Sequence, residues 1–235
     1  MSALALDPFA FPRSTDLAGT TVARIVAGDA QPHALLDRLY GAQAPLALAL
    51  LAQHDATLQP QLGHVQLVHP DDWPVGPGAG WLLAPFVRAP LPPTRFTDGT
   101  FGAWYGATTV ETAHREVAHH LTAWLRQTEA PAPATLPRLE LAAEVRVHPA
   151  QRLVDLRGRA ARRARPLLDP DSYAVSQQFG AACRDASEWG IVWPSVRDAG
   201  GTCLGVLRPP VIASVTPVAR WTAHWDGEGI NWTLA

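Results

Sequence analysis

The second half of the chain is a run of strand-like segments with few helices between them. Its apolar, β-branched stretches are separated by short turns rich in Gly and Pro. They cover residues 141–147, 152–156, 190–193, 203–207, 211–225 and 230–234. A parallel, doubly wound sheet needs a crossover helix between successive strands, and within this half only residues 171–185 are suited to form one. The sequence therefore predicts an α+β fold with a split, mixed β-sheet core.

One amphipathic helix precedes that run of strands. Thr108 and Glu111 have the spacing of a capping box. Apolar residues then recur at steps of three or four, as on the buried face of a helix. They are Val110, Ala113, Val117, Leu121 and Trp124. We expect this helix to end near Gln127, before a linker over residues 128–137, and to pack across the sheet.

The first part of the chain has a weaker pattern. Residues 1–20 contain Pro and show no periodicity, which predicts a flexible lead. We interpret residues 21–235 as a single domain, with a mostly helical extension over 28–80 and the core over 81–235. Apolar spacing predicts further elements within it. These are strands at 21–27, 64–69, 81–87 and 103–107, short helices at 33–40 and 45–54, and a loop at 70–80.

Composition excludes several classes of protein. The chain has 19 basic residues, all of them Arg, and 21 acidic ones, so its net charge is −2. A balance so close to neutral argues against bulk attraction to nucleic acid or to anionic lipid. Two cysteines are too few for a disulfide framework. The chain has neither a signal-peptide pattern nor an apolar run long enough to cross a bilayer. We expect a cytoplasmic protein with reduced thiols.

Common catalytic motifs are missing. The sequence lacks the glycine fingerprint of dinucleotide-binding folds, the Walker loop and the G-x-S-x-G elbow. His114 and Glu116 begin a pattern found in zinc deaminases, but Cys183 and Cys203 are too far apart to complete it. We therefore predict no metal site.

The segment from residue 95 to residue 120 carries a more suggestive combination. Glu116 precedes Val117 of the apolar stripe, about 100° away around the helix axis, so it borders the buried face. His120 lies one turn later, and Arg95 and Tyr105 come shortly before the helix. An arginine binds phosphate, a tyrosine stacks on a flat ring, and a carboxylate stabilises a cationic sugar centre. The spacing alone favours a solvated Glu, an ion-paired Arg and a core Tyr over such a site.

Several ordered motifs resemble those of the RES-domain family. The similarity extends over roughly residues 20–235 and includes the segments SYAVSQQFG and GIVWPSVRDAGGTCLGVLRPPVI. The matching motifs are Arg24 within ARIV, Arg95-Phe96, Tyr105 with Ala107, Thr112-Ala113 with Glu116, and Trp193-Pro194-Ser195. Two departures lie beside them. Many relatives have a His near Phe86, and Gly106 stands where a small apolar residue is usual.

The resemblance implies a fold and an activity. Members have a fold similar to ADP-ribosyltransferase toxins and act as toxins of bacterial toxin–antitoxin pairs. They consume NAD⁺ as a substrate, with no separate cofactor, by hydrolysis or phosphorolysis of the nicotinamide–ribose bond. The alternatives are mono-ADP-ribosylation of a host protein, or a catalytically silent module that only holds an antitoxin or a nucleotide.

The resemblance also implies roles for residues and partners. Glu116 would be the catalytic carboxylate, and Tyr105 would pack against nicotinamide or its ribose. Arg24 and Arg95 would bind the phosphates of NAD⁺. Ser195 and His120 would contact the substrate. The partner would be an Xre-type antitoxin that covers the site. The resemblance allows a homodimer within that complex, and it implies no direct binding to nucleic acid or membrane.

Overall fold

A computed structural model describes residues 6–30, 67–74, 76–87, 92–148 and 150–235. These residues form one large sheet flanked by helices. The strands within them are β1 (Arg13–Ser14), β2 (Thr21–Ala27), β3 (Trp104–Ala107), β4 (Ala134–Val145), β5 (Leu153–Asp155), β6 (Gly190–Pro194), β7 (Thr202–Val206), β8 (Ile212–Trp225) and β9 (Ile230–Leu234). Their order across the sheet is β1-β5-β6-β7-β3-β2-β4-β8-β9.

The sheet is mixed, because β5 and β6 run parallel while the other neighbours in it are antiparallel. Two pairs, β6–β7 and β8–β9, are antiparallel hairpins whose strands are neighbours both in the sequence and in the sheet. The predicted α+β fold with a mixed sheet is therefore confirmed.

The sheet is nearly divided between β2 and β3. The two strands share only the pair Ala23↔Ala107, whereas β2 pairs with β4 along all seven of its residues. Beyond that single pair the strands separate, and a gap opens between their backbones. This gap is the split that the sequence predicts, and it positions the candidate site.

Four α-helices occur among the described residues: α1 (Ala79–Val87), α2 (Val110–Gln127), α3 (Ala161–Ala164) and α4 (Ala174–Asp185). Helix α2 is the amphipathic helix predicted from the sequence, and it packs against β2 and β3 across the split. Its cap lies one residue later than predicted, because Thr109 accepts the Thr112 N–H at 3.1 Å. Its buried face ends at Leu125, while Trp124 is exposed.

Each face of the sheet has its own apolar core. Along β2, Val22 belongs to the core beneath α1, whereas Ala23 and Ile25 belong to the core beneath α2 and α4. This alternation follows from the two-residue period of a strand. None of the described helices is long and apolar enough to cross a membrane.

Residues 81–87 form part of a helix, not the predicted strand. Leu82, Leu83, Phe86 and Val87 are all buried, a spacing that fits one face of a helix. A short apolar run fits either element, and here α1 lies flat on the sheet. The predicted strand at 64–69 is absent from its described part, residues 67–69.

The segment before β2 is not a flexible lead where it is described. Residues Arg13–Ser14 form β1 and pair with β5 at the edge of the sheet, and Phe11 and Leu17 are buried.

The predicted linker at 128–137 is shorter than expected, because β4 begins at Ala134 and pairs with β8 from its first residue. The helices predicted at 33–40 and 45–54 lie outside the described residues.

Candidate active site

A cavity of about 200 Å³ lies at the split in the sheet, between the β2 and β3 edges and helix α2. Five of the six side chains predicted from the sequence line it: Arg24, Arg95, Tyr105, Glu116 and His120. They come from two strands, a loop and one helix. The sixth, Ser195, follows β6 and reaches the cavity only through Glu116.

The hydroxyl of Ser195 is a dedicated donor to Glu116. Its Oγ accepts the backbone N–H groups of Arg197 at 3.1 Å and Asp198 at 2.9 Å. Because a serine hydroxyl has one hydrogen and two lone pairs, the hydrogen is left for Glu116 Oε1, 2.6 Å away. The loop after β6 therefore fixes the orientation of the carboxylate.

The two oxygens of Glu116 have different surroundings. Oε1 also receives a weak contact from the Cys203 thiol at 3.5 Å. Burial raises the pKa of Cys203, so the thiol keeps its proton and acts as a donor. Among the described residues nothing donates to Oε2. One oxygen is thus held in place while the other is free for a ligand.

The loop that carries Ser195 is tied to α2. Asp198 Oδ2 accepts from the Thr112 hydroxyl at 2.7 Å, and Oδ1 lies 3.2 Å from Arg115. Gly201 makes the close approach possible, since a Cβ there would lie 2.6 Å from Thr112 Oγ1. Ser195 and Glu116 therefore sit on two elements that are fastened to each other.

Arg95 is 6% exposed. Its Nη1 donates to the Asp169 carbonyl at 2.9 Å, and its guanidinium lies 4.6 Å from the centre of the Tyr173 ring. Its Nη2 is buried and has no described partner. Burial lowers the pKa of Arg95 from its ordinary value, and the nearby charge of Arg197 acts in the same direction.

Tyr105 fixes the turn that carries Arg95. Its hydroxyl lies 2.7 Å from Thr94 Oγ1 and accepts the Phe96 N–H at 3.3 Å. Burial raises the pKa of Tyr105, so the phenol stays neutral. Its ring lines the cavity and meets Trp193 edge-on at 6.1 Å. The ring of Tyr105 therefore lines the cavity, while its hydroxyl holds the turn at residues 94–96 in place.

Arg24 bridges the split. Its Nη1 donates to the Tyr105 carbonyl at 3.1 Å, and its guanidinium lies 5.3 Å from the Trp104 ring centre. Burial lowers the pKa of Arg24 to about 10, so it is protonated at neutral pH. Because β2 and β3 share one pair of residues, this side chain supplies a contact that the backbones do not make.

His120 lies further along the same wall as Glu116. Burial lowers its pKa from the ordinary value, and the nearby charges of Arg197 and Arg95 act in the same direction against the opposing effect of Glu116. The imidazole is therefore neutral at pH 7. Its ring meets Tyr173 at 6.4 Å.

Gly106, one of the departures from the family pattern, has a steric reason. A Cβ at this position would lie 2.6 Å from the Trp104 ring. Gly106 itself lines the cavity.

Sequence reasoning missed four residues of this region. Tyr173 and Trp193 line the cavity as aromatic walls, and Thr94 holds Tyr105. Arg197 lies close enough for its charge to lower the pKa of Arg95. Tyr173, Trp193 and Arg197 lie within the segments SYAVSQQFG and GIVWPSVRDAGGTCLGVLRPPVI, whose similarity to the family could have indicated them. No three His, Cys, Asp or Glu side chains among the described residues are grouped as metal ligands.

Comparison with known families gives a direct match. The model of the RES domain matches residues 71–226. The chain belongs to the RES-domain family. All the predicted site residues except Arg24 lie within the matched part of this RES domain.

Comparison with individual proteins adds little to the family assignment. No curated protein matches the sequence. Among solved structures, the chain is similar to one from the crystal structure of the M. tuberculosis MbcT–MbcA toxin–antitoxin complex. The sequence identity is 15%, coverage is 93% of each chain, and the TM-score is 0.43. A similarity this low supports no argument about the RES domain described above.

Proposed function

We propose that this RES-domain protein is the toxin of a toxin–antitoxin pair and acts by cleaving the bond between nicotinamide and ribose in NAD⁺. The observation that carries the proposal is the composition of the cavity. A carboxylate with one free oxygen shares its walls with two arginines that have no ion-pair partner among the described residues.

The size of the cavity suits one end of the dinucleotide. Pockets that enclose a drug-sized ligand have volumes of roughly 300–1,000 Å³, and this one holds about 200 Å³. It therefore accepts the nicotinamide and its ribose, while the phosphates and the adenosine extend outward. Tyr105 and Trp193 provide aromatic walls for the nicotinamide ring.

The reaction needs one well-placed negative charge. As the C–N bond breaks, its electron pair goes to the pyridinium nitrogen and neutral nicotinamide leaves. The positive charge moves to the ribose, where an oxocarbenium-like centre develops. Glu116 stabilises that charge through its free Oε2, because a fixed carboxylate in a desolvated site is most effective where charge develops. An acceptor oxygen then bonds to the anomeric carbon and releases its proton to solvent.

The acceptor distinguishes the related reactions. Water gives ADP-ribose, inorganic phosphate gives its 1-phosphate ester, and a side chain of another protein gives a modified protein. The main proposal is transfer to water or phosphate. An enzyme that drains NAD⁺ harms its own host, so we further propose an antitoxin, of the Xre type implied by the resemblance, that covers this cavity.

The test is the product formed by the purified chain. NAD⁺ is incubated with the full-length protein, with and without phosphate, and nicotinamide and sugar products are separated chromatographically. We expect nicotinamide release that needs Glu116, and intracellular NAD⁺ that falls when the chain is expressed alone. Absence of nicotinamide release would leave a silent binding module. A labelled protein in place of a free sugar product would identify a transferase.

A further inference from the structure

Two arginines from distant parts of the chain converge on one short stretch of backbone. Arg95 comes from the loop before β3, and Arg197 comes from the loop after β6. Arg95 Nη1 donates to the carbonyl of Asp169, and Arg197 Nη2 donates to the carbonyl of Pro170. Both guanidiniums are therefore anchored on the same short stretch of backbone, and the charge of Arg197 is close enough to lower the pKa of Arg95.

Each of the two arginines also has one buried nitrogen that no protein acceptor satisfies. Arg95 Nη2 and Arg197 Nε are both buried without a described partner. A buried donor on a charged group costs free energy when it lacks an acceptor. Two such donors on neighbouring like charges indicate a place where an acceptor with negative charge belongs.

The nearest acidic side chain on that stretch does not neutralise them. Asp169 Oδ1 accepts the backbone N–H groups of Asp171 at 2.8 Å and Ser172 at 3.1 Å. Neither arginine forms an ion pair within the described part of the chain. The carbonyls of Asp169 and Pro170 supply only partial charge. Burial lowers the pKa of His119 and His120, and the charges of Arg197 and Arg95 act in the same direction, against the opposing charge of Glu116.

Further contacts hold Arg95 and Arg197 in place. The Tyr173 ring holds the Arg95 guanidinium from one side. The Arg197 backbone N–H donates to Ser195 Oγ, which in turn donates to Glu116. Arg197 is therefore linked through a single residue to the carboxylate of the cavity, although it does not itself line that cavity.

We propose that Arg95 and Arg197 together form a subsite for a diphosphate, with Arg197 as a binding residue that the sequence did not identify. The ligand class is a nucleoside diphosphate ester, and the proposal rests on the proposed function, in which the nicotinamide end occupies the cavity. Each planar guanidinium offers a fork of donors to one phosphate. The two arginines then hold the substrate from just outside the reacting sugar.

Direct binding tests this subsite without any turnover. Calorimetric titration of the full chain with ADP-ribose is compared for wild type, Arg197→Gln and Arg197→Lys. We expect Arg197→Gln to weaken ADP-ribose binding roughly 10- to 100-fold, the range for a hydrogen bond to a charged group. Arg197→Lys keeps the charge but loses the fork, so an intermediate loss is expected. Adenosine, which has no phosphate, should bind equally to all three.

A matched control removes one positive charge elsewhere. Arg146 is exposed, and Arg146→Gln should leave ADP-ribose affinity within twofold of wild type. The subsite is refuted if Arg197→Gln also stays within twofold, or if Arg146→Gln loses as much. Unchanged melting temperatures of the Arg197 variants establish that a loss of binding is local.

The subsite and the proposed function fail in different ways. A wild-type protein that releases nicotinamide, while Arg197→Gln binds ADP-ribose normally, refutes the subsite alone. A wild-type protein that binds inorganic pyrophosphate through Arg197 but releases no nicotinamide supports the anion site and refutes the proposed cleavage.

Discussion

Two sets of arginines in this protein differ in what neutralises them. Away from the cavity, Arg13 pairs with Glu188, and Arg208 holds Asp72 through two hydrogen bonds of 2.7 and 2.9 Å. Arg157 likewise pairs with Asp155 and Asp16. Arg24 and Arg95 at the cavity, and Arg197 in the loop after β6, donate only to backbone carbonyls among the described residues.

The difference lies in the partners of the guanidinium groups. In a chain whose basic residues are all arginines, residue type cannot distinguish a structural cation from a functional one. Satisfaction can. An arginine paired inside the fold contributes to stability, whereas a buried donor without a partner costs stability. We propose that Arg95 and Arg197 keep such donors for a ligand. The same contrast separates Glu188, paired with Arg13, from Glu116, whose Oε2 is free.

The largest expected effect separates these two glutamates. Glu116→Gln keeps the size of the side chain but removes the charge that, in the proposed mechanism, stabilises the developing oxocarbenium. Nicotinamide release should fall by about 10²–10³, while the urea unfolding midpoint stays unchanged. Substrate binding should fall less, because the charge matters most in the transition state.

Glu188→Gln is the matched change in the other group. Glu188 is 8% exposed, so weakening its pair with Arg13 should lower the free energy of unfolding by about 1–3 kcal/mol and leave turnover intact. Near-normal turnover in Glu116→Gln would make Glu116 a structural residue and remove the contrast.

The next effect separates the arginines by stability. Arg208→Met strands Asp72, which is 7% exposed, and should lower the free energy of unfolding by about 2–3 kcal/mol. Arg95→Met removes a buried charge that has no counter-ion, so its stability should lie within about 1 kcal/mol of wild type or above it. The ADP-ribose affinity of Arg95→Met should fall sharply. Urea denaturation of both variants measures the two stabilities, and calorimetric titration of Arg95→Met measures the affinity. Equal destabilisation of the two would show that the two groups do not differ.

Local patterns in the sequence were enough for much of the fold. The strand at Thr21–Ala27, helix α2 and the closing strand Ile230–Leu234 all follow from periodicity and turn residues over short windows. The positions of Arg95, Tyr105 and Glu116 came from ordered motifs. The predicted elements agree with the structure because each is encoded within a few residues of itself.

Features that depend on distant partners were missed. Helix α1 was read as a strand because a seven-residue apolar run does not reveal its period. The bonds of Arg95 to Asp169 and of Arg208 to Asp72 join residues 74 and 136 positions apart. No local sequence pattern predicts which arginine pairs with a carboxylate and which donates to a carbonyl. That distinction, on which the proposed role of Arg197 rests, is a property of the folded chain.

A smaller effect tests the fastening of the Ser195 loop to α2. Thr112→Val removes the buried hydroxyl that donates to Asp198 and should lower kcat about 10-fold, close to 1.4 kcal/mol, with KM little changed. Thr112→Ser restores the hydroxyl and should restore kcat, which a purely steric role would not predict.

Arg115→Gln breaks the other contact of Asp198. Its side chain is 64% exposed, so the change should cost no more than about 1 kcal/mol of stability. This exposed ion pair is thus weaker than the buried pairs elsewhere. If Arg115→Gln were as damaging to kcat as Thr112→Val, charge and not the buried hydroxyl would position the loop.

The smallest expected effect is a pH dependence of stability that originates at the cavity. Burial lowers the pKa of His120 in the folded protein, with Arg197 and Arg95 adding to the shift. The unfolded chain therefore takes up a proton at His120 near pH 6.5, before the folded chain does. Stability that is complete above pH 6.5 is lost as the pH falls from that value through the folded pKa. His120→Gln should flatten this part of the curve, whereas His148→Gln, at an exposed position, should not.

Because Arg197 contributes to the shift, Arg197→Gln should raise the pKa of His120, as followed by NMR titration of its ring protons. An unchanged pKa in that variant would place the Arg197 charge too far from the cavity to belong to the unpaired group.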